Sequence, residues 1–326
     1  MKSIFFLVGM LLTSSAFAQN KILNPQTCFR GPFENHQVWF DTLKEKKPNF
    51  NSEGFLKVFP ESTFNEFKDK LECVDFTYEV DGLTVEGFYL KPKEHGDTPL
   101  PLVIYNRGGN AGFGYVVFGK KMQLIADIAM RGYAVIGSQY RGASRRFIEN
   151  NGFDEFGGAD VNDVVALTEV AKALPGVDAS RYALVGWSRG VSQAYQASRQ
   201  MENVSAIVAI AGVVDAEKSL AWRPKMEKVY QARIPGFDTN RSEELYKRSA
   251  IHWLDELPQQ APILLIHGSN DKRVNVTQSQ HMAEALNSKG HPNKLVVYEG
   301  GSHSLSSHRE EMLNQIIHFL DNSSGK

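Results

Sequence analysis

A serine stands at the centre of the pentapeptide Gly186-Trp187-Ser188-Arg189-Gly190. The apolar run 182–185 precedes it and the helix-compatible stretch 191–201 follows it, so the sequence predicts a strand, a sharp turn and a helix. Glycine at both ends suits a strained turn, because a Cβ there would strike the neighbouring strand or helix. Such a turn raises the Ser188 hydroxyl above the sheet edge, where a base can activate it as a nucleophile.

An acid and a base follow this serine along the chain. Asp271 comes after the continuous apolar run 262–266, which predicts a buried strand, and His303 comes after a second predicted strand at 294–298. Because the carboxyl ends of parallel strands share one edge of a sheet, both side chains are expected beside Ser188. His303 would remove the serine proton, and Asp271 would orient the imidazole.

Other residues compete for these roles. Asp215 follows the apolar run 204–214 and is the rival acid, but Asp271 is favoured because its Asp-x-x-Val sequence follows a His-Gly turn. For the remaining histidines nearby we predict structural or solvated positions: His267, His291, His308 and His318.

The order of elements predicts an α/β fold. From residue 101 onward, apolar strands alternate with helical stretches near 114–130, 158–174, 190–202, 276–288 and 307–321, which is typical of a mostly parallel sheet with helices on both faces. Residues 73–91 predict a hairpin with an Asp81-Gly82 turn. Residues 19–70 form a predicted N-terminal extension with two short helices, near 33–46 and 63–71, before a main domain at 71–326.

These motifs together resemble the catalytic domain of the prolyl oligopeptidase family of serine peptidases. Besides the serine, acid and histidine loops, the likeness rests on three segments and spans about residues 75–322: PLVIYNRGGN at 101–110, YAVIGSQYRG at 133–142 and the segment 155–163. The resemblance implies an α/β-hydrolase fold and acyl-enzyme chemistry. It also implies oxyanion donors at the backbone of Arg189 and near Gly109. The chain departs from the family by having no room for a β-propeller and no Glu-Glu pair placed to hold a peptide amino terminus.

Substrate contacts are harder to assign. Arg107 stands where the family often has Tyr or His, so it could donate to the oxyanion, anchor a substrate carboxylate or support its loop. Further candidate binding residues are Tyr140, Trp187 and Trp222. The stretch 215–257 interrupts the strand–helix alternation, and we expect a cap over the site, the alternative being a helical excursion packed on the core.

The predicted triad and the family resemblance leave three functions to compare. The resemblance favours a serine peptidase acting on short peptides. A carboxylesterase acting on small esters would use the same triad. A non-catalytic binding protein is disfavoured because all three triad residues are present. Acyl transfer of this kind needs no metal or organic cofactor, and the cysteines lack metal-ligand spacing.

The amino terminus predicts export. Lys2 precedes the apolar run 4–12, and Ala16-Phe17-Ala18 resembles a cleavage site, so residues 1–18 are expected to be a signal peptide removed before Gln19. The run is too short to span a bilayer, and the mature protein would be periplasmic or extracellular.

The two cysteines and the net charge bear on compartment and partners. Cys28 and Cys73 would both survive cleavage, and the sequence leaves open a disulfide between them or two separate buried thiols. The 36 basic and 37 acidic residues nearly balance, so there is no basic surplus for binding nucleic acid or an anionic membrane.

Overall fold

The computed structural model describes residues 21–324, so the predicted signal peptide lies outside the described residues. Within them, nine strands form one sheet in the order β1-β2-β3-β5-β4-β6-β7-β8-β9. Strands β4 to β9 are parallel to one another, whereas β1, β2 and β3 join the sheet in antiparallel pairings. The strands are β1 Leu23–Thr27, β2 Leu71–Val80, β3 Leu83–Pro92, β4 Leu100–Asn106, β5 Ala134–Ser138, β6 Val177–Trp187, β7 Val204–Ile210, β8 Ile263–Gly268 and β9 Asn293–Tyr298.

Helices alternate with the parallel strands, as the sequence predicts. The stretch predicted as one helix at 114–130 is broken, because Met122 and Gln123 leave the helical conformation within a π-helical turn, Lys121–Ile125. The α-helices are α1 His36–Lys46, α2 Ser52–Val58, α3 Glu61–Lys70, α4 Phe118–Lys120, α5 Ala126–Met130, α6 Val161–Val165, α7 Leu167–Ala171, α8 Arg189–Ser198, α9 Ala216–Trp222, α10 Glu227–Arg233, α11 Phe237–Lys247, α12 Thr277–Ser288 and α13 Arg309–Ser324. Every helix within the described range is too short or too polar to cross a membrane.

Two hydrophobic clusters cover the two faces of the sheet. Helices α6, α7, α8 and α12 pack on one face, with Ile104 and Leu184 of the central strands. Helices α1, α2, α3, α5 and α13 pack on the other face, with Val103 and Val185. Because successive strand residues point to opposite faces, a strand covered on both sides is apolar throughout, which explains the uninterrupted apolar runs.

The hairpin formed by β2 and β3 confirms the predicted turn. Asp81 and Gly82 connect the strands with φ values of 52° and 72°. Two consecutive positive φ values are what a two-residue hairpin turn with the correct twist requires, and Asp-Gly tolerates them.

The N-terminal extension contains more structure than its sequence indicates. It forms three helices rather than two, and β1 pairs with β2, where Gln26 lies opposite Asp75. Helix α2 begins at an Asn51 cap, whose side chain accepts a hydrogen bond from the Gly54 N–H. Cys28 and Cys73 form a disulfide, so the question left open by the sequence is resolved in favour of the bond.

The stretch between β7 and β8 folds into α9, α10 and α11. These helices enclose a small apolar cluster of their own, separate from the two clusters on the sheet, made of Ala216, Leu220, Tyr230, Ile234, Phe237 and Leu245. Phe156 from another part of the chain packs against this cluster, and Trp253, Leu254 and Leu257 near the end of the stretch belong to the cluster on one face of the sheet.

Candidate active site

Ser188 occupies the sharp turn between β6 and α8. Its φ of 57° and ψ of −122° lie in a region that non-glycine residues rarely adopt, which marks a strained backbone. Both flanking glycines are required by close backbone contacts. A Cβ on Gly186 would lie 2.4 Å from the Gly190 carbonyl oxygen, and a Cβ on Gly190 would lie 1.9 Å from the Asn106 carbonyl oxygen. The predicted elbow is therefore present, for the predicted reason.

Asp271 and His303 meet at the carboxyl end of the sheet. His303 Nδ1 lies 2.7 Å from Asp271 Oδ2. The other carboxylate oxygen, Oδ1, accepts the backbone N–H groups of Arg273 at 2.7 Å and Val274 at 3.0 Å. His267 Nε2 is 3.3 Å from Oδ2. These contacts fix the carboxylate from several directions and orient the His303 ring.

The protonation of this pair follows from its hydrogen bonds. Burial alone raises the pKa of Asp271, but hydrogen bonds from His267 and His303 outweigh it and hold the pKa well below its ordinary value. An ionised carboxylate can only accept, so Nδ1 of His303 carries the proton. The Nε2 atom of His303 is then free to accept a proton from a nucleophile.

The competing residues have structural roles. Asp215 caps α9, because its side chain accepts a hydrogen bond of 3.0 Å from the Lys218 N–H. His267 is fully buried, with Nδ1 2.7 Å from Ser279 Oγ and Nε2 3.1 Å from the Val274 carbonyl oxygen.

A cleft of about 670 Å³ opens over Ser188. Ser188, Trp187 and His303 line it, together with the loop 107–110 that follows β4. Residues of α9 and α10 form another wall. The stretch 215–257 thus borders the same space as the serine.

The loop after β4 brings backbone close to the serine. A Cβ on Gly108 would lie 3.1 Å from Ser188 Cβ, and Gly109 has a φ of 82° with no room for a Cβ beside the Phe113 carbonyl. At the other side of the serine, Arg189 is the first residue of α8, where backbone N–H groups have no partner within the helix. Backbone donors of Arg189 and Gly109 therefore remain the proposed oxyanion site.

The side chain of Arg189 anchors this arrangement, a role that sequence reasoning missed. Its two terminal nitrogens lie 2.7 Å from the two Asp154 oxygens, and Nη2 lies 2.6 Å from Asp160 Oδ2. Nη1 also donates to the Gly109 carbonyl at 3.0 Å. All three charged side chains are buried. The guanidinium therefore joins the helix after the serine to the loop on the other side.

Both carboxylates are held by further donors. Asp154 accepts the backbone N–H groups of Ala111 and Phe156, and Asp160 accepts from Gly157 and from Gln193. Burial raises the pKa of Asp154, but the charge and hydrogen bonds of Arg189 more than compensate and lower it to about 2. Asp154 directly precedes the 155–163 segment and Asp160 lies within it, so a signal for them was present in the sequence.

Arg107 supports its loop, which is one of the three roles left open for it. The guanidinium is buried and donates to the carbonyl oxygens of Gly108, Ala111, Phe113 and Gln139. It stacks 4.7 Å above the Tyr140 ring. Burial lowers the pKa of Arg107 to about 10. With its donors used by backbone, this side chain holds the loop rather than a substrate carboxylate.

Two predicted substrate contacts need correction, while Trp187 does line the cleft. The prediction for Tyr140 is wrong, because the residue is fully buried and its ring contacts the guanidinium groups of Arg107 and Arg189. Trp222 is 47% exposed but lies outside the cleft lining. The helical period explains this, since Ala216 and Ser219 share the cleft-facing side of α9 and Trp222 does not lie on that side.

Residues 21–324 contain no group of three or more His, Cys, Asp or Glu side chains arranged to hold a metal ion. The chemistry that this geometry allows is nucleophilic attack by Ser188, with His303 moving the proton and Asp271 holding the imidazole.

A model of the prolyl oligopeptidase family matches residues 117–326. The chain belongs to the prolyl oligopeptidase family. Two relatives from Bacillus subtilis strain 168 are the uncharacterized peptidases YuxL, 26% identical over 262 residues, and YtmA, 26% identical over 247 residues. The match to YuxL covers 74% of this chain and 37% of YuxL. The match to YtmA covers 75% of this chain and 91% of YtmA.

A solved structure confirms the fold of this prolyl oligopeptidase family member. The acylaminoacyl peptidase of Pyrococcus horikoshii superposes with a TM-score of 0.66 at 22% identity, over 79% of this chain and 43% of that protein. The mostly parallel sheet with helices on both faces is thus the α/β-hydrolase fold. The chain spans less than half the length of YuxL and of this peptidase.

Proposed function

We propose that this protein is a serine peptidase that works through an acyl-enzyme. The observation that carries the proposal is the 2.7 Å contact between His303 Nδ1 and Asp271 Oδ2, at a cleft that Ser188 also lines. A serine in an elbow, an imidazole with a free Nε2 and a buried ionised carboxylate supply the nucleophile, the base and the orienting group.

The reaction would run in two halves. In the first, Ser188 Oγ attacks the scissile carbonyl carbon while His303 Nε2 takes the hydroxyl proton. His303 then gives that proton to the leaving amine, the C–N bond breaks, and an ester to Ser188 remains. In the second half, water loses a proton to His303 and attacks the ester, and the proton returns to Ser188 as the acid leaves.

Charge on the carbonyl oxygen rises in both transition states. The backbone N–H groups of Arg189 and Gly109 are the proposed donors to this oxyanion. Both backbones are held by one buried guanidinium, since the Arg189 side chain binds the Gly109 carbonyl, Asp154 and Asp160. Such preorganised donors stabilise the transition state, because no reorientation is needed as charge develops.

Short peptides are the proposed substrates. The relatives are named as peptidases, and the solved structure is named as an acylaminoacyl peptidase. A cleft of about 670 Å³ accommodates a few residues around the scissile bond.

We also propose that the protein is exported. The sequence 1–18 has the features of a signal peptide, and the Cys28–Cys73 disulfide is of a kind that persists in oxidising compartments. The intact mass of protein from the extracytoplasmic fraction of an expression host would test this. A chain that begins at Gln19 is expected, and a full-length chain found in the cytoplasm would contradict it.

The central test combines labelling with two substrate panels. A fluorophosphonate is expected to label the wild-type protein and a Ser180→Ala control, but not Ser188→Ala. Ser180 is an exposed serine on the same strand, β6. Peptidyl p-nitroanilides and p-nitrophenyl esters are then compared. Cleavage of anilides that disappears in Ser188→Ala supports the peptidase. Cleavage of esters alone would make the protein a carboxylesterase, and absence of labelling would remove the hydrolase proposal.

A further inference from the structure

The charged side chains that line the cleft all carry the same sign. Among the described lining residues there is no aspartate or glutamate. The basic ones come from separate parts of the chain: Arg107, Lys120, Arg189, Arg223, Arg248 and Arg273. Because walls of one sign concentrate the field inside a cleft, this space is attractive to anions.

Three of these arginines are already committed to partners. Arg107 is bound to backbone carbonyls, and Arg189 is bound to two buried aspartates. Arg248 lies 2.5 Å from a Glu244 oxygen and also donates to the Phe156 carbonyl at 2.9 Å. These groups contribute to the scaffold of the cleft and leave no free donor pair for a ligand.

Arg223 and Arg273 differ from the other three. Both are exposed, and neither guanidinium has a hydrogen-bond or ion-pair partner within residues 21–324. Arg223 follows α9 on one wall, whereas Arg273 follows β8, and its backbone N–H is bound to the Asp271 carboxylate at 2.7 Å. The backbone of Arg273 is therefore fixed relative to the proposed catalytic acid.

Where acids are near, exposed arginines of this protein do form ion pairs. Arg199 pairs with Glu256, Arg241 pairs with Glu217 and Glu227, and Arg309 pairs with Asp127. A guanidinium presents a planar fork that matches a carboxylate in two parallel hydrogen bonds. Two such forks at one cleft whose described lining residues include no acid form a receptor for a carboxylate.

We propose that the cleft selects substrates that carry a carboxylate near the scissile bond, bound by Arg223 and assisted by Arg273. The proposal rests on the hydrolase function proposed above. The carboxylate could come from an acidic side chain or from a free carboxyl terminus, since the same donors would recognise either.

Three otherwise identical peptides separate these sources. One has Glu beside the scissile residue and an amidated end, one has Gln with an amidated end, and one has Gln with a free carboxyl terminus. At low salt we expect kcat/KM for the preferred acid to exceed that for the neutral peptide by about tenfold, the scale of one charge-assisted contact. The advantage should shrink at 1 M NaCl, because salt screens exposed charges.

Variants identify the residues responsible. Arg223→Gln and Arg273→Gln should each reduce the acid-to-neutral ratio of kcat/KM, with the larger loss in Arg223→Gln. Arg181→Gln removes the same charge from an exposed position at the start of β6, outside the cleft lining, and should keep the wild-type ratio. A wild-type ratio near one for both acids, or a ratio unchanged in both cleft variants, would overturn the proposal.

A binding measurement keeps this result separate from the reaction itself. Titration calorimetry of the same three peptides into Ser188→Ala protein should show the same order of affinities without turnover. Equal affinities for acid and neutral peptides, in a protein whose wild-type form reacts with fluorophosphonate, would defeat the carboxylate preference alone. Tighter binding of the acid without labelling of Ser188 would support the carboxylate site and defeat the hydrolase.

Discussion

Replacing Asp154 by Asn tests the buried charge network beneath the serine. Each Asp154 oxygen accepts two hydrogen bonds, Oδ1 from Arg189 and the Phe156 N–H, and Oδ2 from Arg189 and the Ala111 N–H. An amide nitrogen at either position would face two donors. The variant also removes one of the two aspartate charges that act on both Arg107 and Arg189, leaving Asp160 as the other. Breaking a buried pair in this way costs about 3–5 kcal/mol.

The stability that Asp154 contributes depends on pH. The lowering of the Asp154 pKa from 3.8 to about 2 corresponds to about 2 kcal/mol of stability. A lowered pKa stabilises the folded protein above the unfolded value, and this contribution is lost as the pH falls through the folded value. Between pH 5 and pH 3 protonation of Asp154 should lower the unfolding free energy of the wild type by about 1 kcal/mol. Asp154→Asn lacks this carboxylate and should show no such loss.

The assay is urea unfolding followed by tryptophan fluorescence at pH 5, 4 and 3 and constant ionic strength. The gap in unfolding free energy between wild type and Asp154→Asn should narrow as the pH falls. Asp97→Asn, at an exposed position before β4, is the control and should show no such narrowing. A gap that stays constant or widens toward pH 3 would show that Arg189 does not keep Asp154 ionised.

Three further perturbations follow from the structure. Asp271→Asn should lower kcat in p-nitroanilide assays by about 10³–10⁴, because the imidazole would take the wrong tautomer. Asp215→Asn should lose only the stability that its helix cap provides. The reverse pattern would make Asp215 the acid that orients His303. Cys28→Ser combined with Cys73→Ser opens a loop closed over 45 residues and should lower the unfolding free energy by about 4 kcal/mol in guanidinium titrations, and an unchanged value would contradict the chain-entropy account. Gly190→Ala should fail to fold, judged by circular dichroism, while Gly112→Ala, whose Cβ would meet its nearest neighbour at 3.6 Å, should fold; a folded Gly190→Ala protein would refute the close-contact argument.

The parts of the site that could be predicted are those encoded within a few residues. The glycines around Ser188 and the strand–loop segments that carry Asp271 and His303 are local patterns, and sheet geometry brings their loops together. The Asp81-Gly82 turn is equally local. In these places residues that are close in sequence are also close in space, so local sequence patterns are sufficient to predict the structure.

The remaining features depend on contacts between distant segments. Arg189 finds Asp154 and Asp160 across separations of 35 and 29 residues, and nothing in the local pattern indicates which charges pair. The same network buries Tyr140, which the sequence alone presents as an available aromatic. Strand β1 is polar and contains Pro25, so only its pairing with β2 makes it a strand.

The N-terminal extension shares a hydrophobic interior with the helices behind the sheet. Trp39 contacts Phe55 and Phe64, and it packs edge-on against Phe118 of α4. A polypeptide cut just before β2 would strip this aromatic layer, bare the outer edge of the sheet and leave half of the disulfide unpaired. The predicted boundary between residues 70 and 71 is therefore not a boundary in the hydrophobic core, and removing the extension would expose the apolar side chains that it covers.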